Sequence, residues 1–180
     1  EVEKLYEEGK LRAIGVSNFE PGQLVDLIAY YRIVPAIDQI ETNLYCQRAE
    51  ERKWLDKKNV AHMAYAPLGQ GNRNEMFSEP EVTALAEKYQ KSTTQILLRF
   101  LTQKGIIVIP RSTKPEHIRE NFDIFDFILT EDELSKSVKR RNNHFERNNY
   151  RKQNGSGTGL VAASENGTAC HSVYSGTGII

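Results

Sequence analysis

The chain has 180 residues, 39% hydrophobic and 27% charged, with 24 Lys+Arg against 24 Asp+Glu. That suffices for one core, and the neutral balance argues against a general nucleic-acid coat. No apolar run reaches the ~18 residues of a membrane span, no apolar leader opens the chain, and Cys46 and Cys170 make no disulfide framework, so a cytoplasmic setting is expected.

The chain opens on Glu1 inside an amphipathic pattern, as a piece of something longer would. Ala13 to Val16 is a short apolar run ending at Ser17-Asn18, which predicts a buried strand and a loop. Leu24, Leu27, Ile28 and Tyr31 recur at helical spacing behind Pro21, one apolar stripe of a helix. Pro35 ends it, and Ala36 to Glu41 predicts the next strand. A charged helix follows over 49–58, with Trp54 and Leu55 as its buried side. Val60 to Tyr65 predicts a third strand, ended by Pro67. Ser78-Glu79-Pro80-Glu81 has the form of a capping box, opening a helix with the stripe Val82, Leu85, Ala86 and Tyr89. A second helix is predicted over 94–103 and stopped by Gly105. Ile106 to Ile109 is a fourth strand, apolar on both faces. Thr113 to Glu116 and Thr130 to Glu133 are two further capping boxes.

Composition changes near residue 135. Residues 1–135 carry 17 Lys+Arg and 22 Asp+Glu, a net −5, and residues 136–180 carry 7 and 2, a net +5. From Gln153 onward six of 28 residues are Gly, too little apolar area to offset the entropy of ordering. Residues 1–135 are therefore expected to be the folded body and 136–180 a disordered or poorly packed tail. Asn154-Gly155-Ser156 and Asn166-Gly167-Thr168 match a glycosylation sequon, to which no role is assigned without a secretory signal.

Apolar strands alternating with helices predict a parallel α/β sheet covered by helices. In such folds ligands meet the carboxyl ends of the strands. Those ends carry Ser17-Asn18, Gln39 with Glu41, Tyr65 through Gly71, and Pro110 through Lys114. Asn18 and Gln39 bear amides that can pair with another amide. Tyr65 offers a face to a planar ring. Gly69 and Gly71 let backbone N–H groups approach a phosphate. Arg111, Ser112 and Lys114 precede a helix start that favours an anion. Together they suit a dinucleotide. Each residue alone has a plainer reading: Asn18 as a turn former, Gln39 as partner to a backbone group, Tyr65 as core, Gly71 as a turn, Arg111 and Lys114 as a solvated pair.

Lys10-Leu11-Arg12-Ala13-Ile14-Gly15-Val16-Ser17-Asn18-Phe19 resembles a signature of the aldo-keto reductases. So do Ile109-Pro110-Arg111-Ser112-Thr113 and Glu120-Asn121-Phe122-Asp123-Ile124-Phe125-Asp126-Phe127. Pro35 to Glu41 and Tyr65-Ala66-Pro67-Leu68-Gly69 fit between them in the family's order. The resemblance covers residues 1 to about 135, with the flavour of the bacterial and fungal diketogluconate or glyoxal reductases.

The resemblance implies the C-terminal half of a (β/α)8 TIM barrel, its last four strand–helix units, from an NAD(P)H-dependent carbonyl reductase. By resemblance, Ser17, Asn18 and Gln39 hold the nicotinamide carboxamide and Tyr65 stacks on its ring. Leu68, Gly69 and Gly71 line the pyrophosphate; Arg111, Ser112 and Thr113 meet the 2′-phosphate; Glu120 and Asn121 contact the adenine. His117 stands where NADPH-preferring members carry Arg, so NADH joins NADPH as an expected cofactor. The family's catalytic Asp, Tyr, Lys and His belong to the first half of its barrel, so no catalytic residue and no metal ligand is assigned in this chain.

The expected partners are a small carbonyl substrate and either the missing half-barrel or a second copy. Neither a membrane nor a specific nucleic acid is expected. Two free sheet edges follow from a half barrel, one at Ala13–Val16 and one at Ile106–Ile109. The alternative function is a non-catalytic dinucleotide-binding or regulatory module, as in the potassium-channel β subunits of the family. A third reading gives the +5 tail an acidic or nucleic-acid partner.

Overall fold

A computed structural model describes residues 1–136, 159–164 and 171–173. Most of the expected tail, both sequons and Cys170 lie outside the described residues. The described chain groups into two units: Glu1–Ile40 and Arg48–His62 with the two late strands, and Glu41–Gln47 with the described residues from Met63 to Lys136. No described helix is long and apolar enough to cross a membrane.

The first unit starts with α1 (Val2–Glu7) and β1 (Leu11–Ser17), followed by α2 (Pro21–Tyr30), β2 (Ile37–Glu41) and α3 (Ala49–Lys58). The Glu3 carboxylate ties α1 down by accepting the N–H groups of Arg32 at 2.8 Å and Ile33 at 3.0 Å. A reciprocal Glu20–Gln23 cap with Pro21 at the first position starts α2, as fixed φ and satisfied end N–H groups favour. Leu24 packs on Val16, Ile40, Leu55 and Val60, with Phe19, Leu27 and Ile28 against them. Asn59, in a left-handed conformation at φ 55°, stops α3, a role Asn fills at low cost. Two expectations change here. Tyr31 is 57% exposed and Trp54 39% exposed, so the α2 stripe ends at Ile28 and Leu55 alone buries the α3 side.

β1 and β2 are parallel, with Gly15 opposite Ile37, Val16 opposite Asp38 and Ser17 opposite Gln39. The other side of β1 is not the free edge expected from the sequence. β5 (Gly159–Ser164) pairs there antiparallel, and β6 (His171–Val173) pairs antiparallel with β5.

The second unit takes the end of β3 (Ala61–Tyr65), then α4 (Arg73–Phe77), α5 (Pro80–Tyr89), α6 (Thr93–Thr102), β4 (Ile107–Val108), α7 (Pro115–Phe122) and α8 (Glu131–Lys136). β4 runs parallel to β3, with Met63 opposite Ile107 and Ala64 opposite Val108. α6 is the unit's centre: seven of its ten residues are buried, and Ile96, Leu97, Phe100 and Leu101 pack with Met76, Val82, Ala64 and Leu129. Each such aliphatic side chain contributes about 1.5–3 kcal/mol.

Three helix starts differ from expectation. Ser78 closes α4, and α5 begins after Glu79 with no side-chain cap. Lys114, not Thr113, precedes α7, also without one. Ahead of α6, Ser92 and Gln95 form a reciprocal box that was not among those expected. Thr130 and Glu133 form the third expected box reciprocally, at 3.3 and 2.7 Å. β4 is shorter than the run 106–109 and not buried on both faces: Ile106 is 3% exposed, Ile107 and Ile109 both 42%.

Candidate cofactor-binding site

In the first unit the β1–β2 register brings Ser17 beside Gln39. Ser17 Oγ donates to the Gln39 carbonyl oxygen at 2.9 Å, and the Asn18 N–H donates to the same oxygen at 3.0 Å. Asn18 has φ 58°, the left-handed region that Asn tolerates better than most residues. The Asn18 carboxamide makes no hydrogen bond to another described residue. Ser17 and Asn18, at the carboxyl end of β1, thus lie beside Gln39 in the middle of β2, all half-buried. A planar amide can pair there with both its donor and its acceptor side.

In the second unit Tyr65 ends β3, half-buried, and a tight turn follows. Ala66 has φ 49°, Gly69 φ 73° and Gly71 φ 87°. The Gly69 N–H donates to the Ala66 carbonyl at 2.9 Å and the Asn72 N–H to the Gly69 carbonyl at 3.3 Å. A Cβ on Gly69 would stand 2.6 Å from Met76 Cε, whereas one on Gly71 would meet nothing within 4 Å. Gly69 is required by packing, and Gly71 keeps an open backbone on the exposed side. That open, side-chain-free stretch suits the pyrophosphate of a dinucleotide.

Asn43 fixes this turn, and the sequence reading missed it. Buried at 4% exposure, its amide nitrogen reaches Glu41 Oε1 and the Ala66 carbonyl, both at 3.4 Å. Its Oδ1 accepts the N–H groups of Tyr45 at 3.0 Å and Cys46 at 3.1 Å. Tyr45 Oη in turn donates to Glu79 Oε1 at 2.6 Å. An Asn two residues past Glu41 at a strand end was the available signal.

Beyond β4, Arg111 and Thr113 are exposed, and Ser112 Oγ accepts the Lys114 N–H at 3.1 Å. This Ser turn leads into α7, whose Pro115 start and flanking cations favour an anion. On α7, His117, Glu120 and Asn121 are half-buried while Glu116, Ile118 and Arg119 are exposed. The spacing 117, 120, 121 places these three on one helix face.

Two buried titratable groups of the first unit were also missed. Asp38 is 1% exposed, and its Oδ1 has no hydrogen-bond partner among the described residues. Burial pushes its carboxyl up to about 7, against the pull of the Phe19 N–H and Arg48. His62 is 4% exposed. Burial, with Arg52 next, pushes its imidazole down to about 4, so it is neutral at pH 7. Strand alternation held the signal for Asp38, since a residue between Ile37 and Gln39 must face the side opposite to both.

The profile of the Aldo/keto reductase family matches residues 1–140. Aldose reductase B of Dictyostelium discoideum is 40% identical over 136 residues, which cover 76% of this chain and 43% of that protein. An aldo-keto reductase from a Medee basin deep-sea metagenome library superposes with a TM-score of 0.76 at 38% identity, covering 78% of this chain and 52% of that structure. A Bombyx mori aldo-keto reductase in complex with NADP gives a TM-score of 0.70 at 37% identity, over 76% of this chain and 47% of that one. The chain spans about half the length of the curated relatives it matches.

Proposed function

The chain belongs to the aldo/keto reductase family, and from that premise we propose that it is the cofactor-holding part of an NADPH-dependent reductase of small aldehydes and ketones. The observation that carries this reading is the convergence of Ser17 Oγ and the Asn18 N–H on the Gln39 carbonyl, which sets an unengaged carboxamide at a strand end. The nicotinamide carboxamide pairs with Asn18 and Gln39, with Ser17 holding the turn, and Tyr65 supplies the ring's stacking face. Leu68, Gly69 and Gly71 take the pyrophosphate along the open turn. Arg111, Ser112 and Thr113 take the 2′-phosphate at the head of α7, and Glu120 and Asn121 the adenine. His117 leaves that end with less fixed positive charge than Arg would, so NADH binds as well, with a residual preference for NADPH through Arg111 and Lys114. The bound dihydronicotinamide supplies a hydride to the carbonyl carbon, and residues of this chain bind and orient it.

The proton donor is proposed to lie in the part of the family barrel that this chain does not match. Its relatives' greater length supports that, as does the exposed apolar surface of the second unit. Phe122 is 74%, Phe125 67% and Ile128 68% exposed, more than scattered surface residues need. That surface is proposed to be covered by the remaining half-barrel or, in its absence, by a second copy.

The test is fluorescence titration of the full chain with NADPH and NADH, followed by a carbonyl-reduction assay with a diketone. Binding by the chain that drops at least tenfold in Asn18→Ala, without turnover, is the expected result. No binding of either dinucleotide would overturn the reading. Binding without turnover even after the complementary half-barrel is added would favour a non-catalytic nucleotide-binding module instead.

A further inference from the structure

Residues 42–46, just past β2, form a tight turn of the second unit that reaches two distant points of the same unit. Within the turn, Asn43 Oδ1 accepts the N–H groups of Tyr45 at 3.0 Å and Cys46 at 3.1 Å, and the Asn43 N–H donates to the Cys46 carbonyl at 2.9 Å. A turn former does no more than that. This turn has two further arms. The Asn43 amide nitrogen donates to the Ala66 carbonyl at 3.4 Å, 23 residues along the chain, beside a backbone bond from the Thr42 N–H to the Tyr65 carbonyl at 3.3 Å. Tyr45 Oη donates to Glu79 Oε1 at 2.6 Å, 34 residues along. Between these two anchor points runs the segment 66–79, which holds the Gly69–Gly71 turn and α4. At its start Ala66 sits at φ 49°, a conformation that costs any residue with a Cβ. The Ala66 carbonyl also takes the Gly69 N–H at 2.9 Å. Near its end Met76 shares one buried cluster with the Tyr45 ring, and Met76 Cε fills the space that a Cβ on Gly69 would need. Asn43 is 4% and Tyr45 6% exposed. Buried polar groups must be satisfied, and these two reach the opposite ends of one segment in doing so.

We propose that Asn43 and Tyr45 are positioning residues that pin the two ends of the segment 66–79 and so keep the Gly69–Gly71 backbone preformed for a pyrophosphate. The ligand rests on the cofactor reading above; the tether rests on the bonds themselves. Gly71 is exposed, with open space where a Cβ would stand, so its own packing does not hold the turn in shape. A turn released at either end has to be ordered again when the ligand arrives, and that ordering entropy is subtracted from the affinity. The two tethers remove the cost in advance. They do so for the pyrophosphate alone, because the 2′-phosphate and the adenine are assigned to residues 111–121, outside the tethered segment.

The test uses the full chain and two probes: 2′-phospho-ADP-ribose, which carries the pyrophosphate, and adenosine 2′-monophosphate, which has none. Calorimetric titration reads their affinities, and amide hydrogen exchange at Gly69 and Asn72, whose N–H groups close the turn, reads the tether without any ligand. Tyr45→Phe keeps the ring in the core and removes only the bond to Glu79. Exchange protection at Gly69 and Asn72 is expected to fall severalfold, and 2′-phospho-ADP-ribose affinity about tenfold, the worth of one such bond. Adenosine 2′-monophosphate affinity stays as it was. Glu79→Gln keeps an acceptor and should bind both probes as the wild type does. Glu79→Ala should match Tyr45→Phe, and the two together should lose no more than either alone. Asn43→Asp keeps the acceptor for the Tyr45 and Cys46 N–H groups but loses the donor to Ala66, and should show the same split between the probes. If it does not fold, Tyr45→Phe still decides. Unchanged protection in Tyr45→Phe, or additive losses in the double variant, would overturn the tether. Equal loss for both probes would mean a merely structural role, and unchanged 2′-phospho-ADP-ribose affinity would overturn the positioning role as well. A wild type that binds neither probe would instead sink the cofactor reading, leaving exchange to judge the tether.

Discussion

Tyr89 Oη donates to Glu133 Oε2 at 2.8 Å, joining the end of α5 to the first turn of α8. The same carboxylate takes Lys88 Nζ at 2.6 Å and the Thr130 N–H at 2.7 Å. Burial raises the Glu133 pKa, but these bonds outweigh it and bring the group to about 2, against 4.5 unfolded. Since the folded value is the lower, the stabilisation is complete above pH 4.5 and is lost as pH falls toward 2. Glu133→Gln is expected to destabilise the chain by about 1–2 kcal/mol at pH 7, the worth of a charge-assisted hydrogen bond. Its deficit should shrink on acidification from pH 4.5 to 3. Denaturant melts at those pH values read this directly, and a deficit that stays constant would put the stabilisation elsewhere.

Gly69 and Gly71 should respond differently to the same substitution. Both have positive φ, so either alanine variant loses about 1 kcal/mol to backbone strain. Gly69→Ala also drives a Cβ into Met76 Cε at 2.6 Å. Met76 is fully buried, so its flexible end has little room, and overpacking adds about 1–3 kcal/mol. Urea melts should rank wild type above Gly71→Ala and Gly71→Ala above Gly69→Ala. Equal losses would show that Met76 repacks freely.

His117→Arg tests the cofactor reading at the head of α7. A guanidinium on the half-buried face shared with Asn121 adds a fixed charge and a charge-assisted bond, about 1.5–3 kcal/mol toward a 2′-phosphate. NADPH affinity should rise roughly tenfold or more while NADH affinity barely moves. Unchanged affinities for both would take position 117 out of the phosphate site.

Most of the strand and helix order was legible because the apolar spacing is strong. The Leu24–Leu27–Ile28 stripe, the Val82–Leu85–Tyr89 stripe and the strand ends at Ser17, Glu41 and Tyr65 all depend on local periodicity. What escaped was decided by competition or by distant pairing. Ser78 fits a capping box, but the end of α4 takes it. Trp54 fits a buried stripe, yet it lies along the surface with Lys57 Nζ 5.4 Å from its ring centroid. The pairing of β5 with β1 joins residues more than 140 apart in sequence, and no local pattern encodes such a partner. Of the site, the chemistry-bearing residues were visible as types at strand ends. The residue that supports the turn after β3, Asn43, was hidden because burial, not residue type, gives it its role.

Asp38 and His62 should hide each other's effect on stability. Burial raises Asp38 to about 7 from 3.8, and burial lowers His62 to about 4 from 6.5. Between pH 3.8 and 7 the folded chain keeps the Asp38 proton that the unfolded chain has lost, so stability falls as pH rises. Between pH 4 and 6.5 the unfolded chain takes up the His62 proton that the folded chain refuses, so stability falls as pH drops. Each contribution is on the order of 3–4 kcal/mol at full extent, and across pH 4.5–6.5 their slopes oppose. Wild-type stability should therefore be nearly flat there and decline slightly from pH 6.5 to about 7.5. Asp38→Asn removes one slope and should lose stability steadily on acidification from pH 6.5. His62→Gln removes the other and should gain stability over the same range. The Glu133 contribution is constant above pH 4.5 and changes only below it, outside this window. Urea melts followed by the fluorescence of Trp54, the single tryptophan, report on the unit that holds both groups. Curves for the two variants that run parallel to the wild type would mean that neither group keeps its buried, neutral form.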